Sequence, residues 1–574
     1  MLINEYVENS CSNKDSVWFL EGHKQFAYSD GDQVEKYIYK VINASSDISY
    51  TSRELETHIK DWASRYHLSR LRSLAYWPLA IPENSSVLEV GSGCGAITRY
   101  FGECAGRVLA LEGSPVRASI TRARTRDLAN VEVLCASFQE VQFNVKFDVI
   151  ICNGVFEYSA CFVDGDLPYE LILDKFKQLL NPGGTLLLAI ENQFGLRYFS
   201  SSYEEHNQIM FDGIEGYARR VKGVRTFGYL ELNQMLAKRF ASVETLFPLP
   251  DYKLPQAVVR DKLLGIASCS ELFGGKSSFD HGAVRRPLFH ERLAWRELEK
   301  NGLLAHMANS FLFVVSDKPS QLLPEKWLGS NYSIQRRPCF TTETIFEAIK
   351  NGRIHVKKNR WHSDLVLSND SRVDQNIYNI ENWFNGPSLH SMVAAKMCEQ
   401  QCGSLIDRLE PLVSKWWLEV SKSHNNPLPP DSVDMVWHNG FIDNDQVEFI
   451  DLEWSWRAGV SPEWLIVRTV SHFIFLEINY IHRWSWQSRF TSEWKIACAV
   501  ARICQLKLSY SSFLKAIETE VEFQCITTGQ KTKTWKHFIY AMLPLQLCQF
   551  MWITQLRVRE IKVKLANIFS KMFP

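Results

Sequence analysis

Short apolar runs alternate with longer helical segments between residues 85 and 191. The runs are SVLEV, RVLAL, VEVLCA, FDVIICN and GTLLLAI, and each has the length of a buried strand. Strands separated by helices are typical of βαβ units, which form a mainly parallel sheet. The pattern predicts mostly helix for residues 1–80, and it predicts that residues 310–319 form the last strand of this first domain.

The pattern changes after residue 331. YSIQRRPCF, ETIFEAI and GRIHVKK predict an antiparallel β group, and helices with a Trp-rich end follow. A chain of 574 residues is too long for one core. We predict one domain at 1–318, with its core at about 60–200 and an acceptor-side extension to 318, and a second domain at 331–574, joined by a linker.

Charge and cysteine content narrow the function classes. Lys plus Arg and Asp plus Glu both number 64, which argues against a general nucleic-acid-binding protein. The 14 cysteines include no CxxC pair, so a zinc site or a disulfide framework is not expected. We interpret them as reduced thiols of a cytoplasmic protein.

Two segments bear on membranes. The N-terminal residues have no apolar h-region, so no signal peptide is predicted. Residues 537–556 have the length of a membrane span but contain Pro544 and three glutamines. We interpret them as a buried helix pair, with membrane contact as the alternative. The amphipathic residues 559–574 predict a docking helix or a membrane-surface helix.

A glycine-rich turn carries the first candidate chemistry. In VLEVGSGCGAITRYFGE, a buried strand leads into Gly91, Gly93 and Gly95 and then into a helix. Such glycines let the backbone turn tightly and approach a ligand, as in dinucleotide-binding folds. Glu89 lies within the strand, and Glu112 ends the next strand, where it is placed to accept hydrogen bonds from ribose hydroxyls.

This segment resembles motif I of class I S-adenosylmethionine (SAM)-dependent methyltransferases, and the resemblance covers roughly residues 60–317. LNPGGTLLLAIEN resembles the post-motif helix, turn and fifth strand of that family. The resemblance implies a Rossmann-like α/β fold and SAM as the cofactor. A glycine turn without a cofactor is the alternative.

Two further segments match the same family pattern. CASF occupies the position that touches adenine, which implies cofactor contacts by Ser137 and Phe138, although many members carry Asp where this chain has Ser137. FDVIICNGVFEYS resembles the fourth strand and the loop beside the methyl group, which implies a cofactor contact by Asn153.

YHLSRLRSLAYWPL resembles a YHLS-type helix of methyltransferases from bacterial surface-glycan gene clusters. Tyr66 and His67 are the predicted catalytic residues; with Arg72 they either reach the sulfonium or an anionic acceptor, or only pack. A hydroxyl acceptor needs a base, His67 or Glu157, whereas a phosphate or carboxylate needs none. Further acceptor-side candidates are Glu191, Asn192 and Arg197.

SVDMVWHNGFIDNDQVEFIDLEW carries the second candidate chemistry. Asn439 follows Asp434 by five positions and Asp451 follows it by 17. Protein-kinase-like catalytic loops place the base and a metal-binding Asn five positions apart. This spacing predicts Asp434 as the base, and Asn439 and Asp451 as the Mg²⁺ ligands.

An α+β protein-kinase-like fold has support upstream. GRIHVKK ends in lysines, and Lys358, with Lys357 as the alternative, is the predicted contact for the ATP phosphates. YNIENWFNGPSLHSM resembles the hinge of aminoglycoside-phosphotransferase-type kinases, which implies Glu381 near the adenine. Ser432 replaces the usual histidine, and no G-x-G-x-x-G loop is present in the sequence, so a pseudokinase or a purely structural helical domain is the alternative.

The order of the two domains resembles the bifunctional O-antigen chain terminators of Gram-negative bacteria. The resemblance implies an enzyme that phosphorylates and methylates the non-reducing end of a lipid-linked polysaccharide, with glycosyltransferases or a polymerase as partners at the inner membrane. A heptad-bearing length ruler is not expected here. The alternatives are a sugar O-methyltransferase with a degenerate kinase-like domain, and a membrane-docking scaffold for glycosyltransferases.

Overall fold

The computed structural model describes most of the chain and divides it into two compact units. The described residues are 3–23, 31–163, 165–219, 223–266, 268–276, 285–349, 352–361, 372–377, 381–400, 403–423, 426–529 and 534–554. The first unit comprises Met1–Leu264, Lys276–Gly282 and Leu303–Gly329, and the second comprises Gly265–Gly275, Ala283–Gly302 and Ser330–Pro574. The predicted C-terminal amphipathic helix, 559–574, lies outside the described residues.

The strands are numbered along the chain. They are β1 Cys11–Lys14, β2 Val17–Leu20, β3 Ser86–Val90, β4 Arg107–Glu112, β5 Val131–Cys135, β6 Phe147–Asn153, β7 Leu180–Glu191, β8 Ser242–Leu249, β9 Ala257–Arg260, β10 Ser310–Ser316, β11 Trp327–Ser333, β12 Thr342–Ala348, β13 Ile354–Arg360, β14 Val373–Gln375, β15 Glu381–Asn382, β16 Gly440–Asp443, β17 Gln446–Phe449 and β18 Trp454–Trp456.

The α-helices are numbered in the same way. They are α1 Asp32–Ala44, α2 Arg53–Thr57, α3 Trp62–Leu68, α4 Ala96–Cys104, α5 Pro115–Arg124, α6 Ser159–Phe162, α7 Pro168–Leu179, α8 Leu196–Phe199, α9 Tyr229–Ala237, α10 Cys269–Gly275, α11 Glu291–Lys300, α12 Leu304–Met307, α13 Leu389–Cys398, α14 Leu405–Val420, α15 Pro462–Glu477, α16 Trp486–Arg489, α17 Glu493–Ile503, α18 Tyr510–Thr528 and α19 Thr534–Met542.

The first unit is built on a sheet in the order β1-β2-β5-β4-β3-β6-β7-β10-β8-β9. The strands from β2 to β7 pair in parallel, which confirms the βαβ prediction for residues 85–191. Strand β10 confirms the strand predicted at 310–319, and it pairs antiparallel with β7 and β8. The sheet is therefore mixed, with its antiparallel part beyond β7.

The centre of this sheet is buried on both faces. Leu88, Leu109, Ile150 and Leu187 are each 0% exposed, as expected for strands covered by helices on both sides. Removing such side chains from water stabilises the fold by roughly 1.5–3 kcal/mol each. The rigid central strands β3, β4 and β6 end at the same edge, where the glycine turn and Glu112 lie.

Residues 1–80 combine the helices α1 to α3 with a hairpin of β1 and β2 at 11–20, which agrees with the mixed, mostly helical pattern predicted there. Two other local predictions were wrong. The predicted linker contains strand β11 in its second half. Most of YSIQRRPCF is not a strand, since Pro338–Phe340 forms a 3-10 turn.

The second unit combines small sheets with a helical part. Strands β12, β13 and β15 pair antiparallel, β16 pairs with β17, and β14 pairs with β18. The helices enclose a Trp-rich core in which Trp416, Trp437, Trp464 and Trp484 are at most 2% exposed. Among the described residues, helix α19 and a second helical stretch at 545–554 confirm the two predicted helices. Their predicted burial is only partial, because Ile539, Phe550 and Trp552 are 49%, 65% and 43% exposed.

None of the described helices is both long enough and apolar enough to span a membrane.

Candidate active site

The glycine turn follows strand β3 at the sheet edge. Gly91, Gly93 and Gly95 have φ angles of 81°, 57° and 77°, in the left-handed region that favours glycine. A Cβ on Gly91 would lie 2.3 Å from Val155 Cγ2, so this position is closed by packing. A Cβ on Gly93 would meet nothing within 4 Å, so its backbone borders open space. The turn is therefore packed behind Gly91 and open at Gly93.

Two carboxylates flank this turn. Gly93 N–H donates to Glu112 Oε2 at 2.7 Å, and Ser114 N–H donates to Glu112 Oε1 at 2.9 Å. Thr98 donates its hydroxyl to Glu89 Oε2 at 2.5 Å. Burial raises the pKa of Glu112, and burial raises the pKa of Glu89 to about 7.

A cavity of about 480 Å³ opens beside the turn. Twelve of the sequence-predicted residues line it: Tyr66, His67, Arg72, Glu89, Gly91, Gly93, Glu112, Ser137, Phe138, Asn153, Glu157 and Glu191. Gly95 is not among the lining residues; it is the N-cap of α4. The structure therefore brings the predicted cofactor residues of the first domain together around one space.

The loop residues on this wall are held by neighbours. Ser137 donates its N–H to Glu140 Oε2 at 3.4 Å. Phe138 packs on Phe176 with ring centroids 5.0 Å apart. Asn153 Oδ1 accepts the Tyr76 hydroxyl at 2.8 Å, which fixes the amide at the end of β6.

The YHLS-type segment forms α3 and the 3-10 turn after it. The Arg72 guanidinium lies 3.9 Å from the Tyr66 ring centroid and donates to Tyr66 Oη at 3.0 Å. It also donates to Lys253 O at 2.9 Å. The His67 ring contacts the Tyr66 ring edge-to-face at 4.9 Å. The side chains of this segment therefore pack against one another and also line the cavity.

A charged group lines another part of the cavity. Lys253 Nζ lies 2.5 Å from Glu191 Oε1 and also pairs with Glu205. Burial alone would raise the pKa of Glu191, but the nearby Lys253 ammonium lowers this pKa. Burial, followed by the nearby Glu191 carboxylate, raises the pKa of Glu157 well above its usual range.

Two of the acceptor-side candidates lie away from this cavity lining. Asn192 donates its side-chain amide to the carbonyls of His306 and Ala308, both at 2.7 Å. Arg197 is 1% exposed and pairs with Glu205 and, at 3.5 Å, with Asp251. The sequence analysis missed His206 and Lys253, which line the cavity but stand in irregular segments without a recognisable motif.

In the second unit, the chain brings three predicted residues together. Lys358 Nζ, on β13, pairs with the Asp451 carboxylate and lies 3.3 Å from Glu453 Oε2. Asp451 donates its backbone N–H to Glu381 Oε2 at 3.4 Å. Burial lowers the pKa of Lys358. Lys357, the alternative, instead pairs with Glu347.

Asp434 and Asn439 lie beside this group. Asp434 Oδ2 accepts the backbone N–H groups of Glu453 at 2.9 Å and Trp454 at 2.8 Å. Asn439 donates its side-chain amide to Asp434 O at 3.0 Å. Burial raises the pKa of Asp434 to about 6. Glu453, which the sequence analysis missed, also pairs with Arg336.

The first unit is a Rossmann-like domain with a cavity at the carboxyl ends of its parallel strands. Residues 88–186 match the family model described as a methyltransferase domain. This match supports the methyltransferase domain that the sequence predicts in this part of the chain.

Individual relatives resemble parts of the chain. "Probable ribosomal RNA small subunit methyltransferase A" of Methanosarcina barkeri is 30% identical over 91 residues, which are 16% of this chain and 30% of that protein. Its namesake from Methanosarcina acetivorans is 28% identical over 92 residues, 16% of this chain and 32% of that protein. The chain thus spans about a third of the length of these curated relatives.

Two solved structures align with larger parts of the chain. A chain from the complex between the Haloferax volcanii Trm112 methyltransferase activator and a methyltransferase has a TM-score of 0.27 and 15% identity, covering 44% of this chain and 89% of that one. The N-methyltransferase NodS from Bradyrhizobium japonicum in complex with S-adenosyl-L-homocysteine has a TM-score of 0.20 and 17% identity, covering 28% and 75%.

Proposed function

We propose that this protein methylates, with SAM, the non-reducing terminus of a bacterial surface polysaccharide, and that its second unit is a kinase that first phosphorylates that terminus. The observation that carries the methyl-transfer part is the open backbone at Gly93 next to the Glu112 carboxylate, at the wall of the 480 Å³ cavity. The acceptor would be a lipid-linked glycan met at the inner face of the membrane, with pathway glycosyltransferases as partners and no nucleic acid.

The residues around the cavity fit SAM. A carboxylate offers about four acceptor positions, and the two backbone N–H groups on Glu112 leave two for ribose hydroxyls. Phe138 and Ser137 border the adenine side, and Asn153 stands at the end of β6. When bound, SAM supplies an electrophilic methyl group on its sulfonium.

The charged group in the cavity suits a glycan acceptor. Arg72 lines the cavity and is a cation that would attract a terminal phosphate, which needs no base for methylation. For a hydroxyl acceptor, Glu157 and His67 are the candidate bases, since both line the cavity. Both are nearly enclosed, Glu157 at 1% and His67 at 3% exposure.

The kinase part rests on Lys358 meeting the Asp451 carboxylate, with Glu381 beside it. A buried lysine next to a metal-binding aspartate is the arrangement that orients ATP phosphates and Mg²⁺ in kinases. Asn439 stands within hydrogen-bond distance of Asp434, as the D-x4-N spacing requires. In this role Asp451 and Asn439 would bind Mg²⁺, and Glu381 would approach the adenine.

One observation favours a second candidate, a sugar O-methyltransferase whose second unit transfers no phosphate. The Asp434 carboxylate already accepts two backbone N–H groups. Only Oδ1 of this carboxylate is left to act as a base, and it lies 3.5 Å from Arg468 Nη2. In this alternative Asp434 holds the 453–454 segment in position.

Nucleotide binding is tested first. Mg-ATP is titrated calorimetrically into the wild-type protein, Asp451→Ala, and the matched control Asp443→Ala, whose aspartate is exposed in the same hairpin region. The kinase proposal expects binding in the wild type and the control and loss in Asp451→Ala. Absence of binding at millimolar Mg-ATP would contradict the kinase part.

Methyl transfer is tested with two glycans that differ only in a terminal phosphate. The lead proposal expects wild-type protein to methylate the unphosphorylated glycan only when ATP is present, and Asp451→Ala to methylate only the phosphorylated one. Methylation of the free hydroxyl without ATP would support the second candidate. No methylation of either glycan would refute a glycan acceptor.

A further inference from the structure

Three potential metal ligands meet in the cavity of the first unit. Glu157, Glu191 and His206 each offer one ligand atom, and these atoms all lie within 4.8 Å of one another. All three residues line the same cavity as the glycine turn. They come from three segments: the turn after β6, the end of β7 and the region after α8.

Each of the three has a buried polar atom that no described group satisfies. These atoms are Glu157 Oε2, Glu191 Oε2 and His206 Nε2. The two glutamates are 1% exposed, and the His206 side chain is 10% exposed. Buried polar atoms are nearly always hydrogen-bonded, so an unsatisfied atom on each of three clustered residues points to a ligand that binds there.

The histidine is oriented by its other nitrogen and by its backbone. His206 Nδ1 and the Tyr158 hydroxyl lie 3.0 Å apart. Glu204 Oε2 accepts the N–H groups of His206 at 2.9 Å and Asn207 at 3.0 Å, which holds the turn. Metal-binding histidines are commonly fixed in this way through the nitrogen that does not bind the metal.

The charge around the cluster favours a cation. Glu191 pairs with Lys253 through Oε1, which leaves Oε2 available. Glu205 shares the same lysine, and Glu204 Oε1 lies 4.0 Å from His206 Nε2. Arg197 also pairs with Glu205, so four carboxylates face two cations, and a divalent ion would balance them.

We propose that Glu157, Glu191 and His206 bind a divalent first-row transition cation such as Mn²⁺. Two carboxylates and one imidazole suit such an ion, since the nitrogen donor disfavours Mg²⁺ and Ca²⁺. Three protein ligands leave coordination positions for oxygen atoms of the methyl acceptor, so the ion selects an oxygen-rich acceptor such as a phosphate or vicinal hydroxyls. This role rests on the proposed methyl transfer, whereas the binding of the ion does not.

The test is titration of Mn²⁺ into the full chain without SAM, followed by EPR and calorimetry. One saturable site is expected in the wild type and in the exposed control Glu83→Gln. Glu157→Gln, Glu191→Gln and His206→Gln are each expected to weaken binding by at least about tenfold. Equal affinity in the three variants and the control, or no saturable site up to millimolar Mn²⁺, would overturn the proposal.

Two further measurements keep the result interpretable if a variant fails to fold. The Mn²⁺ spectrum of the wild type is expected to show coupling to a histidine nitrogen, and bound Mn²⁺ without that coupling would refute the assignment. Titration of S-adenosyl-L-homocysteine reports the cofactor site separately. A protein that binds Mn²⁺ but not this ligand would contradict the proposed function and leave the metal site standing.

Discussion

Replacing Glu112 with glutamine is the sharpest perturbation of the proposed cofactor site. The carboxylate accepts one N–H from Gly93 and one from Ser114. A glutamine keeps the shape of the side chain but presents an oxygen on one side only. The amide therefore loses negative charge and turns an NH₂ group toward one of the two backbone donors.

The magnitude follows from the ligand hydrogen bonds. Hydrogen bonds to a charged group contribute about 1.5–3 kcal/mol and those between neutral groups about 0.5–1.5 kcal/mol, so each ribose hydroxyl loses about 1 kcal/mol. Two hydroxyls on Glu112 give about 2 kcal/mol, which is roughly a 30-fold increase in Kd. We expect Glu112→Gln to weaken the binding of S-adenosyl-L-homocysteine by this factor.

Calorimetric titration measures the effect, with Glu83→Gln as the control because Glu83 is exposed in the same unit. Thermal unfolding of both variants checks that the fold is retained. A Kd for Glu112→Gln within about threefold of the wild type, in a folded protein, would refute the assignment of Glu112 to the ribose, since that is far below the expected 2 kcal/mol.

Three other outcomes are expected. Gly91→Ala should lower the free energy of unfolding in urea by at least about 2 kcal/mol more than Gly183→Ala, because both have positive φ but only Gly91 has a clashing neighbour. Glu89 has a folded-state pKa of about 7, above its value in the unfolded chain. Its protonated carboxyl therefore stabilises the folded protein fully below about pH 4.5. This contribution, on the order of 3 kcal/mol, is lost as the pH rises through 7. The free energy of unfolding measured in urea should therefore fall more between pH 5 and 8 in the wild type than in Glu89→Gln. Lys253→Met should tighten Mn²⁺ binding at least about threefold by removing a cation beside Glu191, and weaker binding measured by EPR would contradict the metal site.

The methyltransferase sheet was predictable because its signals are local. Each strand from β3 to β7 is rich in apolar residues, and the glycines mark the turn between β3 and α4. Burial on both faces of a parallel sheet produces this pattern directly in the sequence. The hairpin of β1 and β2 carries a weaker signal, since CSNK contains no large apolar residue.

The missed site residues depend on distant segments. His206 stands in a turn held by Glu204, and Lys253 reaches Glu191 across 62 positions of chain. Neither residue lies in a periodic apolar pattern or in a motif that can be recognised from one sequence. In the second unit, Glu453 lay within the quoted motif, yet only the fold brings it to Lys358.

The two units use buried carboxylates in the same way. Glu112 accepts the N–H groups of Gly93 and Ser114, and Asp434 accepts those of Glu453 and Trp454. Each carboxylate therefore holds in place the loop whose backbone N–H groups donate to it, whether or not a ligand is bound.

This double role decides which substitution isolates nucleotide binding. Loss of the Asp434 carboxylate leaves two buried N–H groups without their acceptor, at about 1–3 kcal/mol each, so a change in activity would not separate chemistry from folding. Asp451 is 40% exposed; its carboxylate pairs with Lys358, which keeps Glu453 as a second partner, and its backbone N–H, which alanine retains, donates to Glu381. The Asp451 carboxylate can be removed without this structural loss, and the role of the second unit is therefore to be judged from Asp451 rather than from Asp434.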